Sequence, residues 1–298
     1  MSPTSQPRHL PVLVTETLRF LDPAPGEVWV DATVGAGGHS RKILDQLGDQ
    51  GRLIGLDQDP KMLELARTRL EDPRVTLVHA NFDQLAEVLE NLQRPQVDGV
   101  LADLGFASDQ LEDPQRGLSF REDGPLDMRL DPNLGQTAAD LVNTLSEAAL
   151  ADLFFEYGEE RKSRWVARRI VERRKERSFE TTSDLAELVR RTVPRSGAID
   201  PATRVFQALR IAVNDELGAL ERLLQQLPRV VRGGGRAGII SFHSLEDRRV
   251  KQAFRGQAWE RLTKKPIEAS AEEVANNPRS RSAKLRVARR IDAAHDSR

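Results

Sequence analysis

The sequence predicts an α/β fold in which a doubly wound, mostly parallel sheet is interrupted by an all-helical insertion. Short apolar runs alternate with helical patterns over the first hundred residues, which is typical of a parallel sheet covered by helices. This alternation stops near Gly105 and resumes after Ile199. We therefore expect a sheet domain in two parts, 1–104 and 201–298, separated by an insertion domain at 105–200.

Four buried strands are predicted in the first part. Each is a short run rich in Val, Leu and Ile and flanked by Gly, Pro or Asp, as strands covered on both faces require. They are EVWVDAT (27–33), RLIGLD (52–57), RVTLVHA (74–80) and VDGVLADL (97–104). Helical patterns at 39–47 and 60–70 separate the first three strands.

The rest of the chain is predicted to be helical until the sheet resumes. The insertion has helical patterns around 136–156, 161–177 and 183–193 and no strand pattern. One long helix is expected next, because Asp200 can cap it, Pro201 can open it and an apolar stripe continues to about Leu227. The remaining predictions are a turn at 233–235, a fifth strand at 236–244 and a last edge strand at 284–290.

Composition favours a cytoplasmic protein. The chain has 298 residues, 39% of them hydrophobic, with 45 Lys+Arg against 46 Asp+Glu. It has no cysteine, which excludes a disulfide framework, a thiolate metal site and a cysteine nucleophile. The five histidines show no metal-binding spacing, so we expect no metal. Because we find no apolar leader and no run of about 18 apolar residues, we expect no membrane partner.

The charge is unevenly distributed along the chain. Residues 1–110 hold 10 basic and 17 acidic side chains, whereas 161–177 hold nine basic and two acidic ones. A second basic segment, 279–290, has six basic residues and none acidic. Solvated surface with helical Glu–Arg pairs is one explanation. The other is a polyanionic partner such as a nucleic acid, whose phosphates dominate its affinity for proteins.

The carboxyl ends of the first two strands predict a ligand site, because ligands bind at this edge of open parallel sheets. The glycine-rich loop 35–40 follows the first strand and would let the backbone approach a ligand closely. Ser40 stands where the dinucleotide motif has its third glycine, so a simple tight connection remains an alternative. Asp57 ends the second strand and could accept hydrogen bonds from ribose hydroxyls. Alternatively, Asp57 or Asp59 caps the helix that opens at Pro60.

The next two strand ends extend the same predicted site. Phe82 follows the third strand and could pack on an adenine face, although a single Phe is more often part of a core. Asp103 ends the fourth strand and could accept a hydrogen bond from an amino group. Together with the glycine loop and Asp57, these residues favour a cofactor that contains a nucleoside.

The sequence resembles the bacterial ribosomal RNA small-subunit methyltransferase H family, also called MraW. Matching stretches span nearly the whole chain in the family's order, and GPLDMR, FQALRIAVN and SFHSLEDR are the most specific. One segment differs, since 105–111 has GFASDQL where the family usually has GVSSPQL. The stretches are HLPVLVTET (9–17), DATVGAGGHSRKIL (31–44), GLDQDP (55–60), LADLGFASDQL (101–111), RGLSFREDGPLDMRLD (116–131), PATRVFQALRIAVNDEL (201–217), GIISFHSLEDRRVK (238–251) and NPRSRSAKLRV (277–287).

The resemblance implies an S-adenosylmethionine-dependent methyltransferase with a Rossmann-like sheet. The implied reaction is N4-methylation of a cytidine of 16S rRNA within the small ribosomal subunit. Asp103 is the candidate catalytic residue, as a hydrogen-bond acceptor for the cytosine amino group. The implied cofactor contacts are Gly37, Gly38, His39, Asp57, Phe82, Asp103 and Gln110.

The resemblance also assigns RNA recognition to the insertion, whose basic segment would hold rRNA phosphates together with 279–290. Phe120 or Trp165 could stack on bases. For Trp165 a buried position is favoured, because Val166 and Ile170 lie near it on the apolar stripe. Two other functions stay open, a nicotinamide-dependent oxidoreductase and a non-catalytic RNA-binding ribosome assembly factor. Apolar surface on the insertion could also support a homodimer.

Overall fold

The computed structural model describes residues 10–133, 135–195 and 200–292. The chain folds as two units, which we call the sheet unit and the helical unit. The sheet unit extends to Ala107 and resumes at Leu217, and the helical unit is Ser108–Glu216. The insertion therefore begins later than the predicted 105 and ends later than the predicted 200. Ile199 and His9, which the sequence analysis used, lie outside the described residues.

The first part of the sheet unit alternates strands and helices as predicted. Each of the four predicted strands is present within a few residues of its expected bounds, and both predicted helices follow their strands. The elements are α1 (Val14–Leu21), β1 (Val28–Asp31), α2 (Gly38–Leu44), β2 (Arg52–Asp57), α3 (Pro60–Arg69), β3 (Val75–His79), α4 (Leu85–Asn91) and β4 (Val97–Asp103).

The described residues of the helical unit form six α-helices. Four of them form at the three predicted patterns around 136–156, 161–177 and 183–193, because the first pattern is divided into two helices. The elements are α5 (Ser108–Glu112), α6 (Ala138–Thr144), α7 (Glu147–Glu156), α8 (Ser163–Arg174), α9 (Thr182–Thr192) and α10 (Ala202–Val213). Within the described residues, no helix is long and apolar enough to span a membrane.

The single long helix predicted after Asp200 is wrong. Its first half is α10, which packs on α6, α7 and α9 inside the helical unit. The buried Asn214 side chain then accepts a hydrogen bond from the amide of Leu130 and donates one to the carbonyl of Met128, each at 2.9 Å. Asp215 takes a left-handed φ of 47°, which ends the helix. The unit boundary consequently lies after this break.

The second part of the sheet unit completes an eight-stranded sheet. The new elements are α11 (Glu216–Val230), β5 (Val231–Ser241), α12 (Ser244–Ala253), β6 (Trp259–Arg261), β7 (Ile267–Glu268), α13 (Ala271–Asn276) and β8 (Lys284–Arg290). The strand order is β3-β2-β1-β4-β5-β8-β6, and β7 also pairs with β8. The pairs among β1 to β5 are parallel, whereas β8 is antiparallel to β5, β6 and β7.

Three strand predictions need correction. The strand 284–290 is not an edge, because β6 and β7 pair with the side of β8 that faces away from β5. Residues 233–235 lie within β5, where the pairing with β4 shifts register instead of a turn forming. Strand β3 lies at one edge of the sheet, and its residues are exposed or only partly buried, although the run 74–80 was predicted to be a buried strand.

The two faces of the sheet are covered by different helices, as a doubly wound fold requires. Successive residues of a strand point to opposite faces, so each strand contributes to both cores. One core joins Val30, Ile54, Val100 and Ile239 to α4, α11 and α12. The other joins Trp29, Leu53, Leu101 and Ile240 to α1 and α2.

Candidate active site

A buried carboxylate fixes the end of β1. Asp31 is 1% exposed, and its Oδ2 accepts a hydrogen bond from the hydroxyl of Ser40 at 2.6 Å. Its Oδ1 accepts one from the amide of Thr33 at 3.2 Å. Burial raises the pKa of Asp31, and the bond from Ser40 opposes that shift. Asp31 thereby ties the strand end to α2 and sets the course of the loop between them.

The glycine loop is required by close packing as well as by its backbone conformation. Gly37 has a left-handed φ of 83°, and a Cβ at this position would lie 3.0 Å from the side chain of Leu70. A Cβ at Gly38, the first residue of α2, would lie 3.1 Å from Pro11. A larger residue at either position would therefore require Leu70 or Pro11 to move away from the loop.

Gly37→Ala is expected to destabilise the sheet unit by about 2–3 kcal/mol, through left-handed strain plus overpacking on Leu70. Gly26→Ala is a matched control, because Gly26 has a φ of 87° but no atom within 4 Å of its Cβ position. That control should lose only about 1 kcal/mol. Urea unfolding measures both. Equal losses would show that crowding at Leu70 contributes nothing.

Asp57 connects the ends of β2 and β1. Its Oδ2 accepts a hydrogen bond from the amide of Gly35 at 2.8 Å, and its Oδ1 accepts one from the amide of Asp59 at 2.9 Å. Asp59 is the residue that caps α3, since its Oδ1 accepts from the amide of Lys61 at 3.0 Å. The capping alternative is thus correct for Asp59, and the carboxylate of Asp57 lies at the strand end instead.

The environment of Asp57 disfavours its charge. Burial, with the negative charges of Asp59 and Asp31 as smaller contributions, raises the pKa of Asp57 to about 7, although its two backbone hydrogen bonds oppose the shift. The native state therefore binds this proton more readily than the unfolded chain. The contribution of Asp57 to the stability of the ligand-free protein is consequently greatest below about pH 4 and is lost as the pH rises through about 7.

Cofactor affinity is expected to fall about tenfold between pH 8 and pH 6 if the charged form of Asp57 is the one that accepts ribose hydroxyls. The reason is that the pKa of about 7 leaves roughly one tenth of the carboxyl groups charged at pH 6. Isothermal titration of S-adenosylmethionine at both pH values measures this. Asp57→Asn should bind weakly and with a much smaller pH dependence. An equally steep dependence in that variant would assign the titration to another group.

Phe82 lies beyond the end of β3, at the start of a short 3₁₀ turn, Phe82–Gln84. The turn is fixed by a capping box between Asn81 and Gln84, and the side-chain nitrogen of Asn81, Nδ2, donates to Gln58 Oε1 at 3.0 Å. Phe82 is half-buried and packs against the first core described above. Part of its ring is therefore structural, and its contact with a cofactor stays a prediction.

Asp103 is held at the end of β4 from two sides. Its amide donates to Thr33 Oγ1 at 2.7 Å, and its Oδ1 accepts a hydrogen bond from the amide of Gly105 at 3.0 Å. Its other oxygen, Oδ2, lies 3.5 Å from Nε2 of His39. No hydrogen bond reaches this buried nitrogen of His39 from the residues that the structure describes. The arrangement places an acceptor and an unsatisfied polar nitrogen side by side.

The structure places six of the seven predicted cofactor contacts in the sheet unit, at or just beyond the carboxyl ends of β1 to β4. Gln110 is different, because it lies on α5 in the helical unit, where its side chain is buried. Three further residues of the site were not predicted: Asp31, Thr33 and Ser40, whose hydrogen bonds hold the ends of β1 and β4 and the start of α2. Their position in DATVGAGGHS, at a strand end directly before the loop, was the available signal.

Two predictions about aromatic residues have different outcomes. Trp165 is 65% exposed, so its assignment to the buried stripe of α8 is wrong. That stripe is formed by Val166, Ala167 and Ile170, and Trp165 lies outside it. Phe120 instead packs edge-on against the ring of Phe206, with ring centres 4.7 Å apart. Of the two, Trp165 is the side chain available for stacking.

Three of the six cations in the second basic segment, 279–290, have partners within the sheet unit. Arg286 is buried and forms two hydrogen bonds with the carboxylate of Asp247, at 2.7 and 3.0 Å. Arg290 donates to the backbone carbonyl of Pro228 at 2.9 Å, and Arg289 pairs with Glu260 at 3.4 Å. At least half of the segment's charge is therefore engaged within the fold, and its contact with rRNA phosphates stays a prediction.

A doubly wound sheet, with a glycine loop after β1 and acidic residues at the ends of β2 and β4, is an arrangement that S-adenosylmethionine-dependent methyltransferases share with dinucleotide-binding enzymes. The comparison with known sequences identifies the particular group. The chain belongs to the MraW methylase family, whose profile matches residues 6–291. The oxidoreductase alternative is thereby excluded.

Curated relatives of the chain are similar over almost its full length. A ribosomal RNA small subunit methyltransferase H of Sorangium cellulosum is 52% identical, over 98% of this chain and 95% of that protein. Proteins of the same name from a Cyanothece species and from Heliobacterium mobile are 52% and 46% identical, over 96% and 95% of this chain and 95% and 99% of theirs. The similarity therefore includes both the sheet unit and the helical unit.

Proposed function

We propose that this protein N4-methylates a cytidine of 16S rRNA in the small ribosomal subunit, with S-adenosylmethionine as methyl donor. The observation that carries the proposal is the identity of 46–52% to proteins named ribosomal RNA small subunit methyltransferase H, which extends through both units. A non-catalytic assembly factor would have no need to place the carboxylate of Asp103 beside the buried Nε2 of His39 at the ligand-binding edge of the sheet.

The described side chains fit the cofactor. Each carboxylate oxygen of Asp57 accepts one backbone hydrogen bond and has capacity for another, which suits the two hydroxyls of a ribose. Nε2 of His39 is buried and has no hydrogen bond within the described chain, although Oδ2 of Asp103 lies 3.5 Å away, so a polar ligand group would satisfy it. We propose that these two residues hold the cofactor together with Gly37, Gly38 and Phe82, whereas the contact of Gln110 stays an implication of the resemblance.

Asp103 is the proposed catalytic residue. When bound, S-adenosylmethionine supplies an electrophilic methyl group. The amino nitrogen of cytosine is a poor nucleophile, because its lone pair is delocalised into the ring. Oδ2 of Asp103 would accept a hydrogen bond from this amino group, turn the lone pair out of conjugation and receive the proton that the nitrogen loses. Its Oδ1 is already engaged by Gly105, which fixes the orientation of the carboxylate.

The target base has to be unpaired or turned out of a helix to reach the end of β4. The sheet unit then contributes positioning, since the reaction needs no metal and the acceptor is already oriented. Phosphate contacts from the basic residues of the helical unit are the proposed means of holding the RNA around that base.

Nucleoside mass spectrometry tests the proposal directly. Small ribosomal subunits and free 16S rRNA from a strain that lacks this gene are incubated with the protein and S-adenosylmethionine. We expect a new N4-methylcytidine in at least one of the two substrates. No methylated nucleoside in either substrate, from protein that binds the cofactor, would overturn the proposed substrate. A methyl group on another atom would overturn the proposed role of Asp103.

A further inference from the structure

The helical unit carries an open groove between the end of α7 and the start of α8. Its volume is about 460 Å³, and two large aromatic side chains line it. Phe155 is 61% exposed and Trp165 is 65% exposed, so neither side chain belongs to the buried face of its helix. Exposed aromatic side chains that share one groove are typical of a binding surface.

The groove also contains cations of the basic segment 161–177 that are not paired with carboxylates of the described residues. Arg161, Lys162 and Arg164 line it, and within the described parts of the chain none of their side chains pairs with a carboxylate. Lys162 Nζ lies 5.8 Å from the ring centre of Trp165. Asp152 is the one acidic residue among the lining residues, so cations exceed anions by three to one.

Further along α8 the same segment is largely neutralised. Arg168 and Arg169 both pair with Glu172, at 3.0 and 2.8 Å. Arg173 lies 3.1 Å from Asp184, and Arg174 donates to a backbone carbonyl. Helical Glu–Arg pairing, one of the two explanations given for the basic segment, therefore applies to this part of the helix. The unpaired cations are concentrated beside the two aromatic rings.

We propose that this groove binds single-stranded RNA, with one base stacked on Trp165, a neighbouring base on Phe155 and the adjoining phosphates held by Arg161, Lys162 and Arg164. Exposed aromatic faces beside unpaired cations are what single-stranded nucleic acids require, because every base has a face to stack and every nucleotide carries a negative charge. The inference rests on the proposed function, for it identifies a second contact with the same RNA substrate.

A second copy of the chain is the other occupant to consider, since apolar rings also occur at dimer interfaces. The three cations argue against it, because two such grooves facing each other would bring like charges together. Charge complementarity instead selects a polyanion.

Intrinsic fluorescence isolates this site. The chain has three tryptophans, and the other two, Trp29 and Trp259, are 1% and 7% exposed. Titration with a ten-nucleotide oligouridylate is therefore expected to quench mainly the emission of Trp165, through stacking. Trp165→Phe should bind the oligonucleotide nearly as well as the original chain but lose most of the quenching. Unchanged emission at saturating oligonucleotide would overturn the proposal.

Affinity for the same labelled oligonucleotide, measured by fluorescence anisotropy, tests the contacts one at a time. Trp165→Ala and Phe155→Ala are each expected to weaken binding about tenfold. Arg164→Gln should reduce the slope of log affinity against log salt by about 0.7. Lys265→Gln is the matched control, because Lys265 is an exposed cation of the sheet unit outside the groove lining, and it should leave affinity unchanged.

Two outcomes separate this inference from the proposed function. Unchanged affinity in both alanine variants would overturn the stacking site, even if methylation of the small subunit proceeds. If the original chain sediments as a dimer and the alanine variants do not, while their affinity for RNA is unchanged, the groove is assigned to a second copy of the chain instead. Methyl transfer is measured separately, with cofactor titration as control. Weakened oligonucleotide binding therefore supports the groove even where the predicted N4-methylcytidine is not found.

Discussion

Asp103→Ala is expected to slow methyl transfer to the rRNA by about a hundredfold or more at saturating cofactor. The variant removes the only side chain at the end of β4 that the proposed mechanism uses as a proton acceptor. Few contacts within the fold depend on it: its carboxylate accepts one hydrogen bond from the amide of Gly105 and lies 3.5 Å from Nε2 of His39, while its own amide still donates to Thr33. The measurement is a single-turnover rate with small subunits from a strain lacking the gene.

Asp103→Asn is the matched variant, because it keeps the size and one carbonyl oxygen for Gly105 but cannot take up a proton. If proton acceptance matters, the asparagine variant is expected to be nearly as slow as the alanine variant while binding S-adenosylmethionine better. If Asp103 only positions the cofactor, both rates should recover at high cofactor concentration. Unchanged transfer and unchanged cofactor affinity in Asp103→Ala would remove both proposed roles.

The sheet and its loops could be predicted because their signals are local. A buried parallel strand is a short run of Val, Leu and Ile, and the residue that ends it marks the ligand-binding edge. Asp57 and Asp103 were found in this way, and both lie at the ends of their strands. Sequence patterns could not show which of Asp57 and Asp59 caps α3, since either carboxylate can accept hydrogen bonds at the start of a helix.

Features that depend on contacts distant in sequence could not be predicted. The break at Asn214 depends on hydrogen bonds with the backbone of Met128 and Leu130, more than eighty residues earlier. The interior position of β8 depends on pairing with two short strands whose patterns are weak. Trp165 was misassigned because neighbouring apolar residues define a stripe only to within about one helical position, or about 100°.

The basic segment 279–290 shows the same limit for charge, because a row of cations in sequence does not reveal which of them are paired. Arg286→Ala is expected to lower the free energy of unfolding of the sheet unit by about 3 kcal/mol. The change leaves the carboxylate of Asp247 without the two hydrogen bonds it receives, next to a strand in the middle of the sheet. A carboxylate that is largely shielded from water and has no partner destabilises the folded state, because its lost hydration is not replaced.

Arg289→Ala is the control on the same strand. Its ion pair with Glu260 is about half exposed, so its loss should cost less than about 1 kcal/mol. Unfolding in urea is followed in a Trp165→Phe background, where the remaining tryptophans, Trp29 and Trp259, both belong to the sheet unit. This choice matters because two units need not unfold in one step.

Joint replacement by Arg286→Met and Asp247→Leu separates the two possible roles of the arginine. If Arg286 is structural, the double variant should recover much of the lost stability, since an apolar pair of similar volume removes the unpaired charge. It should also bind oligouridylate as the original chain does. A double variant that is stable but binds RNA with a smaller salt dependence would instead make Arg286 a phosphate contact, and β8 part of the RNA-binding surface.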